Sequence, residues 1–306
     1  MILCCGEALI DMLPQTVDAG ATAYLPQVGG AVFNTAIALG RLNVSVGLFT
    51  GISTDFFGHQ LLHAMQESRV DSSRLVFSDR HTTLAFVGLT EGTAEYAFFD
   101  ENSAGRMLRS KQLPRLTDDI EALFFGGISL VQEPCGSTYE ELLVGASETR
   151  VVVLDPNIRP GFITDEVAYR ARVKRLSAHA DLVKLSDEDL QWLEGPGDYQ
   201  SIATRILQRG PKIVIVTRGA AGATAITARH RIEVEAEQVS VCDTVGAGDT
   251  FNAGLLASLQ HQGVLNKQQL AGLHAQKLQA ALSWGIKAAA VTVSRAGANP
   301  PWLSEL

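Results

Sequence analysis

Residues 242–251 combine a glycine-rich turn with a carboxylate, and this pairing suggests a specific chemistry. They read Cys-Asp-Thr-Val-Gly-Ala-Gly-Asp-Thr-Phe. Alternating apolar residues predict a strand over residues 239–242, and an apolar-faced pattern predicts a helix over residues 250–262. The turn therefore lies where a strand passes into a helix, and a helix N-terminus carries unpaired amides and partial positive charge.

The residues of the turn suit the binding of an anion. Gly246, Ala247 and Gly248 leave backbone N–H groups accessible to a ligand. Asp249 follows in the same turn, and a carboxylate beside an anion site is unfavourable unless it has a chemical task, such as taking a proton from an attacking hydroxyl. Amides for a transferring phosphoryl group and a base for its acceptor together predict a phosphotransferase.

The turn has two other interpretations. In the first, it is a glycine-rich helix start in which Asp249 merely caps the first turn. In the second, it is a dinucleotide-binding fingerprint, but Phe251 replaces the third glycine and no acid lies between Asp249 and Glu305 to bind a ribose hydroxyl.

The composition is that of a globular protein that binds neither nucleic acid nor membranes. The chain has 306 residues, of which 46% are hydrophobic and 19% charged, enough for a large core. A net charge of −8 disfavours nonspecific binding to nucleic acid or to an anionic membrane. The N-terminus lacks the basic start of a signal peptide, and no uncharged apolar run reaches membrane-spanning length, so a cytoplasmic protein is expected.

Cysteine spacing shows neither a metal motif nor a redox motif. Cys4, Cys5, Cys135 and Cys242 all lie in or near apolar runs. They are predicted to be reduced and mostly buried.

A second group of candidate residues lies near the N-terminus. The apolar run at residues 2–10 predicts a buried parallel strand, which would place Asp11 at the carboxyl edge of a sheet, where ligands bind. Gly29 and Gly30 permit close approach of a ligand, and Asn34 at the start of a helix over residues 35–42 offers a donor and an acceptor to hydroxyls. Asp11 as a turn residue and Asn34 as an N-cap are equally available interpretations.

An inserted β-sheet lid is predicted from about residues 12–28 and 80–105. Residues 14–28 are small and polar, and alternating runs at 82–90 and 94–99 flank a hairpin turn at 91–93. An exposed face carrying Phe86, Tyr96 and Phe98 would contact a substrate or a second subunit, giving a homodimer through the lid, unless it packs on the core.

Strands and helices alternate through the rest of the chain. Strands are predicted at 122–125, 151–154, 181–185 and 212–217, with a helix at 270–289 and a last strand at 290–293. Arg159, in the loop at 155–160, could reach a phosphate or brace its own loop through an Asp–Arg pair. The pattern predicts residues 1–306 as one doubly wound, mostly parallel α/β domain with the inserted lid.

Two motifs resemble the ribokinase-like (PfkB) family of sugar kinases, over nearly the whole chain. They are Gly-Gly-x-x-x-Asn at residues 29–34 and Asp-Thr-x-Gly-Ala-Gly-Asp at residues 243–249. Within the family, residues 6–11 and 155–159 look most like fructokinases. The resemblance implies a three-layer α/β/α core with a β-sheet lid, and phosphorylation of a primary hydroxyl of a sugar by ATP with Mg²⁺.

The resemblance also assigns roles to individual residues. Asp249 would be the base and the amides of 246–248 the anion hole. The sugar would be held by Asp11, Gly29, Gly30, Asn34, Phe98 and Arg159. ATP would lie along Lys184, Thr217, Gly219 and Gly222. Metal roles fall to Asp189, Glu188 and Asp243, the last joining the loop at 295–297 around K⁺, as in some relatives.

Two departures from the family pattern bear on these roles. The Asn-x-x-Glu motif linked to metal and phosphate binding is replaced by Ser186-x-x-Asp189, with Glu188 adjacent. Many fructokinases have Tyr-Arg in the second lid strand, where this chain has Phe98-Phe99. Alternatives to fructose are ribose, 2-keto-3-deoxygluconate and a nucleoside, and a catalytically silent sugar-binding regulatory protein is a further alternative.

Overall fold

The computed structural model describes residues 1–17, 21–90 and 93–306, and the side chains of residues 89–96 lie outside that description. The strands are β1 Ile2–Cys5, β2 Leu9–Thr16, β3 Thr22–Gly29, β4 Val46–Phe49, β5 Gly51–Ser53, β6 Val76–Ser78, β7 Leu84–Thr90, β8 Thr93–Phe99, β9 Ala122–Gly126, β10 Val151–Asp155, β11 Leu182–Ser186, β12 Ile213–Thr217, β13 Ala223–Thr227 and β14 Arg231–Val234. The helices are α1 Ala31–Arg41, α2 Phe56–Glu67, α3 Cys135–Ala146, α4 Glu166–His179, α5 Asp187–Glu194, α6 Tyr199–Leu207, α7 Ala247–His261, α8 Lys267–Ala271 and α9 Ala275–Val293.

An eight-stranded main sheet forms the centre, in the order β14-β13-β12-β11-β10-β9-β1-β4. The strands from β12 to β4 in this order run parallel, and β13 pairs antiparallel with both β12 and β14. Strands such as Val151–Asp155 are buried along their whole length, since a parallel sheet is covered on both faces. This burial explains the continuous apolar runs in the sequence.

Helices cover both faces of the main sheet, which confirms the three-layer α/β/α prediction. Successive residues of β1 alternate between two cores: Ile2 and Cys4 pack with α1, α7 and α9, and Leu3 and Cys5 pack with α3, α4 and α6. All four cysteines are free, and only Cys242 is exposed. Within the described residues, no helix is long and apolar enough to cross a membrane.

A small separate sheet is also present, in the order β3-β2-β7-β8. Strand β2 pairs antiparallel with β3 and parallel with β7, which pairs antiparallel with β8. Residues 91 and 92 of the predicted hairpin turn, and the side chain of Tyr96, lie outside the description.

The predicted strand over residues 2–10 is wrong. The chain leaves the main sheet after Cys5, and Leu9 already belongs to the small sheet, so Asp11 is not at the edge of a main-sheet strand. Apolar residues on both sides of the crossing made the run look continuous. At the crossing itself, a Cβ on Gly6 would lie 2.4 Å from Val32 Cγ2, so only glycine fits there.

Two further predicted strands are wrong. Residues 239–242 belong to none of the strands, and Val241 is 63% exposed. The amide of Cys242 donates to Val293 O at the end of α9 instead of to a strand. Residues 290–293 form the last turn of α9, since a short apolar run fits a buried helix as well as a strand. The helix predicted over 270–289 is divided between α8 and α9.

Candidate active site

The glycine-rich turn forms the N-terminus of α7. Gly246 is the N-cap residue with a left-handed φ of 77°, and a Cβ there would lie 2.8 Å from Ala298 Cβ. The amide of Ala247 donates a long bond, 3.3 Å, to Thr244 O. Within the described part of the chain, the amides of Gly246 and Gly248 have no hydrogen-bond acceptor. The turn thus presents unpaired donors at the positive end of a fifteen-residue helix.

Asp249 lies in the first turn of α7 and is only 6% exposed. Burial raises the pKa of its carboxyl to about 7; the hydrogen bond from Asn34 opposes this shift, and the negative charge of Asp155 adds to it. Asn34 Nδ2 donates to Asp249 Oδ2 at 2.9 Å across 215 residues of sequence. Thr35 Oγ1 also donates to the backbone oxygen of Asp249, so α1 and α7 bring the two sequence motifs together.

Asp11 lies in the small sheet, opposite Gln27 and two residues before the end of the neighbouring strand β3. A Cβ on Gly29 would lie 2.1 Å from Asp11 Oδ2, so the carboxylate occupies the space that the glycine leaves. Burial raises the pKa of Asp11 to about 6, which the positive charge of Arg159 opposes. Gly30 caps α1 with a φ of 104°, and a Cβ there would lie 3.1 Å from Glu7.

Arg159 is in the loop after β10 and is held by its own neighbours. Its Nη1 donates to Asn157 Oδ1 at 2.7 Å and to Ile158 O at 3.1 Å. The positive charge of Arg159 opposes the rise in the pKa of both Asp11 and Asp249.

A buried polar network joins β10, β11 and α7 beside the turn. Lys184 Nζ donates to Asp155 Oδ2 at 2.9 Å, and Asn252 Nδ2 donates to the same oxygen at 2.7 Å. Burial alone would lower the pKa of Lys184, but the carboxylates of Asp155, Asp189 and Asp249 outweigh burial and raise it. A Cβ on Gly248 would lie 3.2 Å from Lys184 Nζ, so a buried ammonium adjoins the unpaired amides.

Asn252 is a site residue that the sequence reasoning missed. It is 1% exposed, and its Oδ1 has no hydrogen-bond partner among the described residues. The available signal was its spacing: residues three apart share a helix face, and Asn252 follows Asp249 by three.

A cavity of about 1260 Å³ opens beside the network. Four predicted nucleotide residues line it: Lys184, Thr217, Gly219 and Gly222. Gly222 has a φ of 83°, and a Cβ there would lie 2.1 Å from Val234 O, so this position requires glycine.

The predicted metal residues differ in whether their carboxylates are free to bind a metal ion. Glu188 is exposed and lines the cavity. Both oxygens of the buried Asp189 accept backbone amides, those of Ile158 and Ser186. In the part of the chain that the structure describes, no three His, Cys, Asp or Glu side chains form a metal-binding group.

The carboxylate of Asp243 also accepts hydrogen bonds from backbone amides. Its oxygens accept the amides of Val245 at 3.0 Å and of Gly297 at 2.9 Å, which ties the glycine-rich segment to the loop at 295–297. Arg295 of that loop forms an ion pair with Glu305.

Phe98 and Phe99 of β8 point in opposite directions. Phe98 packs on Phe162, just after the Arg159 loop, with ring centroids 4.7 Å apart. Phe99 is 55% exposed and contacts Phe86, which also contacts Tyr24, so these three rings form a strip on the outer face of the small sheet.

Comparison with known proteins identifies the family. The model for "pfkB family carbohydrate kinase" matches residues 1–305. A fructokinase of Rhizobium leguminosarum bv. trifolii is 52% identical over 279 residues, covering 91% of this chain and 86% of that protein.

Solved structures agree with this assignment. The fructokinase of Xylella fastidiosa with bound ATP has a TM-score of 0.90 at 28% identity, with 99% of this chain and 96% of that chain covered. A fructokinase double mutant of Vibrio cholerae O395 bound to fructose, ADP and potassium ion has a TM-score of 0.85 at 27% identity, with 97% and 93% covered. The resemblance seen in the sequence is confirmed, and the chain belongs to the pfkB family of carbohydrate kinases.

Proposed function

We propose that this kinase transfers the γ-phosphoryl group of ATP to a primary hydroxyl of fructose. The observation that carries the proposal is the buried Asp249 carboxylate, bonded to Asn34 and placed in the same helical turn as two unpaired amides. Fructose is favoured because the relative at 52% identity is a fructokinase.

Asp249 acts as the general base. Its carboxylate takes the proton from the sugar hydroxyl as the hydroxyl oxygen attacks the γ-phosphorus, and the bond from that phosphorus to the β,γ-bridging oxygen breaks, releasing ADP. The proton passes from Asp249 to water after the phosphosugar leaves. A pKa of about 7 suits this role, because a base is most effective when its pKa lies near the working pH.

The N-terminus of α7 and Lys184 stabilise the transferring phosphoryl group. The amides of Gly246, Ala247 and Gly248 donate to its oxygens, and the Lys184 ammonium beside Gly248 supplies a full positive charge. Because Lys184 is 4% exposed and held by Asp155, its charge is already in place before the reaction.

ATP lies in the large cavity along Thr217, Gly219 and Gly222, with its phosphates towards α7. Mg²⁺ neutralises charge on the β- and γ-phosphates when bound, and it typically keeps several waters and takes only one or two carboxylates. Glu188 fits that requirement, since it is an exposed carboxylate on the cavity wall. K⁺ is proposed at the loop that Asp243 braces, and a Vibrio cholerae fructokinase structure contains a potassium ion.

The sugar is held between the two sheets. Asp11 and Asn34 bind its hydroxyls, Gly29 and Gly30 allow it close to the backbone, and Arg159 lies near the acceptor oxygen. The small sheet acts as a lid, with Phe98 packed on Phe162, and its closure excludes water that would otherwise hydrolyse ATP.

The test is ATP consumption with Mg²⁺ and K⁺ on fructose, ribose, glucose, 2-keto-3-deoxygluconate and adenosine. Turnover on fructose alone supports the proposal, and turnover on another acceptor corrects the substrate. Sugar binding without turnover on any acceptor would instead indicate a silent sugar-binding protein.

The catalytic role is tested in the same assay with Asp249→Asn. Turnover should fall by roughly two to four orders of magnitude if the side chain is a general base. Asp165→Asn is the matched control, because Asp165 is an exposed N-cap of α4 and asparagine caps equally well. Near-normal turnover of the Asp249→Asn enzyme would remove the base from the proposal.

We also propose a cytoplasmic homodimer that pairs through the lids. The support is the exposed aromatic strip of Tyr24, Phe86 and Phe99, which a second copy of the same strip would cover. Light scattering should show a dimer that Phe99→Glu converts to a monomer, and a monomeric wild type would contradict the pairing.

A further inference from the structure

The buried carboxylate of Asp189 links α5 to the loop that carries Arg159. Oδ1 accepts the amide of Ile158 at 2.9 Å, and Oδ2 accepts the amide of Ser186 at 3.1 Å. The amide of Asp189 is itself bonded to Ser186 Oγ at 2.9 Å, which completes a capping box at the start of α5. Both carboxylate oxygens therefore have structural partners, and the side chain is 7% exposed.

The residues around Ile158 hold the guanidinium of Arg159. Arg159 Nη1 has two acceptors, Asn157 Oδ1 and Ile158 O. Asn157 has a left-handed φ of 44°, a conformation that costs free energy and persists only when neighbouring contacts impose it. One such contact is the bond from the amide of Asn157 to Asp155 Oδ1, and the other is the bond from Ile158 to Asp189.

The length of the side chain at position 189 decides what it can reach. In the resemblance drawn above, this position corresponds to the glutamate linked to metal and phosphate binding. Aspartate is one methylene shorter. Asp189 also lines the cavity, but both of its carboxylate oxygens accept backbone amides. The neighbouring Glu188 lines the same cavity but is exposed, whereas Asp189 is buried.

We propose that Asp189 is a positioning residue for Arg159 and takes no part in holding Mg²⁺. The inference rests on the proposed function, since it gives Arg159 a place at the sugar. Asp189 fixes the amide of Ile158, and the Ile158 carbonyl and the Asn157 side chain then fix the guanidinium, whose positive charge acts on Asp11 and Asp249. Loss of Asp189 should impair sugar binding and leave the Mg²⁺ requirement unchanged.

The experiment compares Asp189→Asn with Glu188→Gln. Asparagine has one acceptor oxygen instead of two, so one of the two amides loses its partner. The Asp189→Asn enzyme should bind the sugar about tenfold more weakly, by calorimetry in EDTA and by KM, with its half-saturating Mg²⁺ concentration within twofold of wild type. Glu188→Gln should show the reverse. An increased Mg²⁺ requirement with unchanged sugar affinity in Asp189→Asn would overturn the inference.

A double-mutant cycle separates positioning from general destabilisation. Arg159→Ala alone should weaken sugar binding, and adding Asp189→Asn to it should add less than twofold if Asp189 acts through Arg159. Ser186→Ala is the matched control: it removes the cap of α5 but leaves the bond to Ile158, so it should lower the thermal midpoint and spare sugar affinity. Additive losses in the cycle would refute the coupling.

A variant that does not fold and a wild type that binds no sugar have different consequences for the inference. If Asp189→Asn does not fold, Asp189→Ser enters the same cycle, because its hydroxyl still accepts one amide. If wild type neither binds nor phosphorylates any sugar of the panel, the proposed function fails; if wild type binds and Asp189→Asn binds equally well, only the inference about Asp189 fails.

Discussion

The replacement Gly29→Ala tests how the small sheet holds the sugar. The φ of Gly29 lies outside the left-handed region, so alanine adds no backbone strain, and the effect comes from one new carbon. That Cβ would lie 2.1 Å from Asp11 Oδ2, where ordinary contact begins at 3.4 Å, so the carboxylate must retreat by about 1.3 Å. A hydrogen bond to a sugar hydroxyl, about 2.7 Å when formed, would then stretch to about 4 Å and be lost.

The size of the effect follows from the bond that is lost. A hydrogen bond to a charged group is worth about 1.5–3 kcal/mol. At about 1.4 kcal/mol per factor of ten, KM for fructose should rise about 10- to 150-fold. KM for ATP should stay within about twofold, because Gly29 and Asp11 are not among the residues that line the nucleotide cavity.

Steady-state kinetics with each substrate varied in turn measure both constants. Gly145→Ala is the control, since Gly145 lies in α3 with nothing within 4 Å of a new Cβ. If Gly29→Ala acts through Asp11, adding it to Asp11→Ala should change KM for fructose no further. An unchanged KM in Gly29→Ala, or a further large loss in the double variant, would refute the reasoning.

Three other changes test the remaining parts of the site. Because Asp249 is a base with a pKa raised to about 7, kcat/KM for the sugar should rise through pH 7 to a plateau, and a flat profile between pH 6 and 8 would contradict this. The same raised pKa lowers stability as pH rises from about 4 to 7, since the unfolded carboxyl loses its proton first; Asp249→Asn should therefore have a higher thermal midpoint than wild type at pH 8 and no such gain at pH 4. Lys184→Met should lower kcat by about 10²-fold through loss of the charge beside Gly248, and an unchanged kcat would remove Lys184 from the phosphoryl site. Gly222→Ala should raise KM for ATP and not KM for fructose, because its Cβ would displace the backbone at Val234 and narrow the nucleotide cavity.

Local sequence reasoning worked where a property belongs to one element. The turn at residues 246–248 was predicted as a helix start with accessible amides, and it caps α7. The prediction of a strand before the turn is wrong, because a strand needs a neighbouring strand and residues 239–242 alone do not show whether they pair with one. The prediction of one strand over residues 2–10 is wrong for a related reason. The apolar residues of this run belong to two different sheets, and hydrophobicity does not indicate which sheet a residue joins.

In the candidate site, too, local spacing indicates some residues, while contacts between distant parts of the chain decide their partners. Spacing within one helix could have indicated Asn252 from Asp249. The partner of Asn252, however, is Asp155, 97 residues earlier in the chain. The family motif predicts Asp189 as a metal residue, and only its contacts show that both oxygens are bonded to amides, one of them 31 residues away.

The sequence by itself determined the layered α/β class, the anion-binding turn, the family and the set of polar residues available for chemistry. These depend on residue types and short spacings, which determine which apolar runs are buried, where helices begin and which glycine amides are accessible. The tertiary structure decided which of those residues meet. Asn34 reaches Asp249, Lys184 and Asn252 share Asp155, and Asp189 holds the Arg159 loop, because packing α1, β10, β11, α5 and α7 at one end of the main sheet brings together side chains whose separation along the chain carries no information about their distance in space.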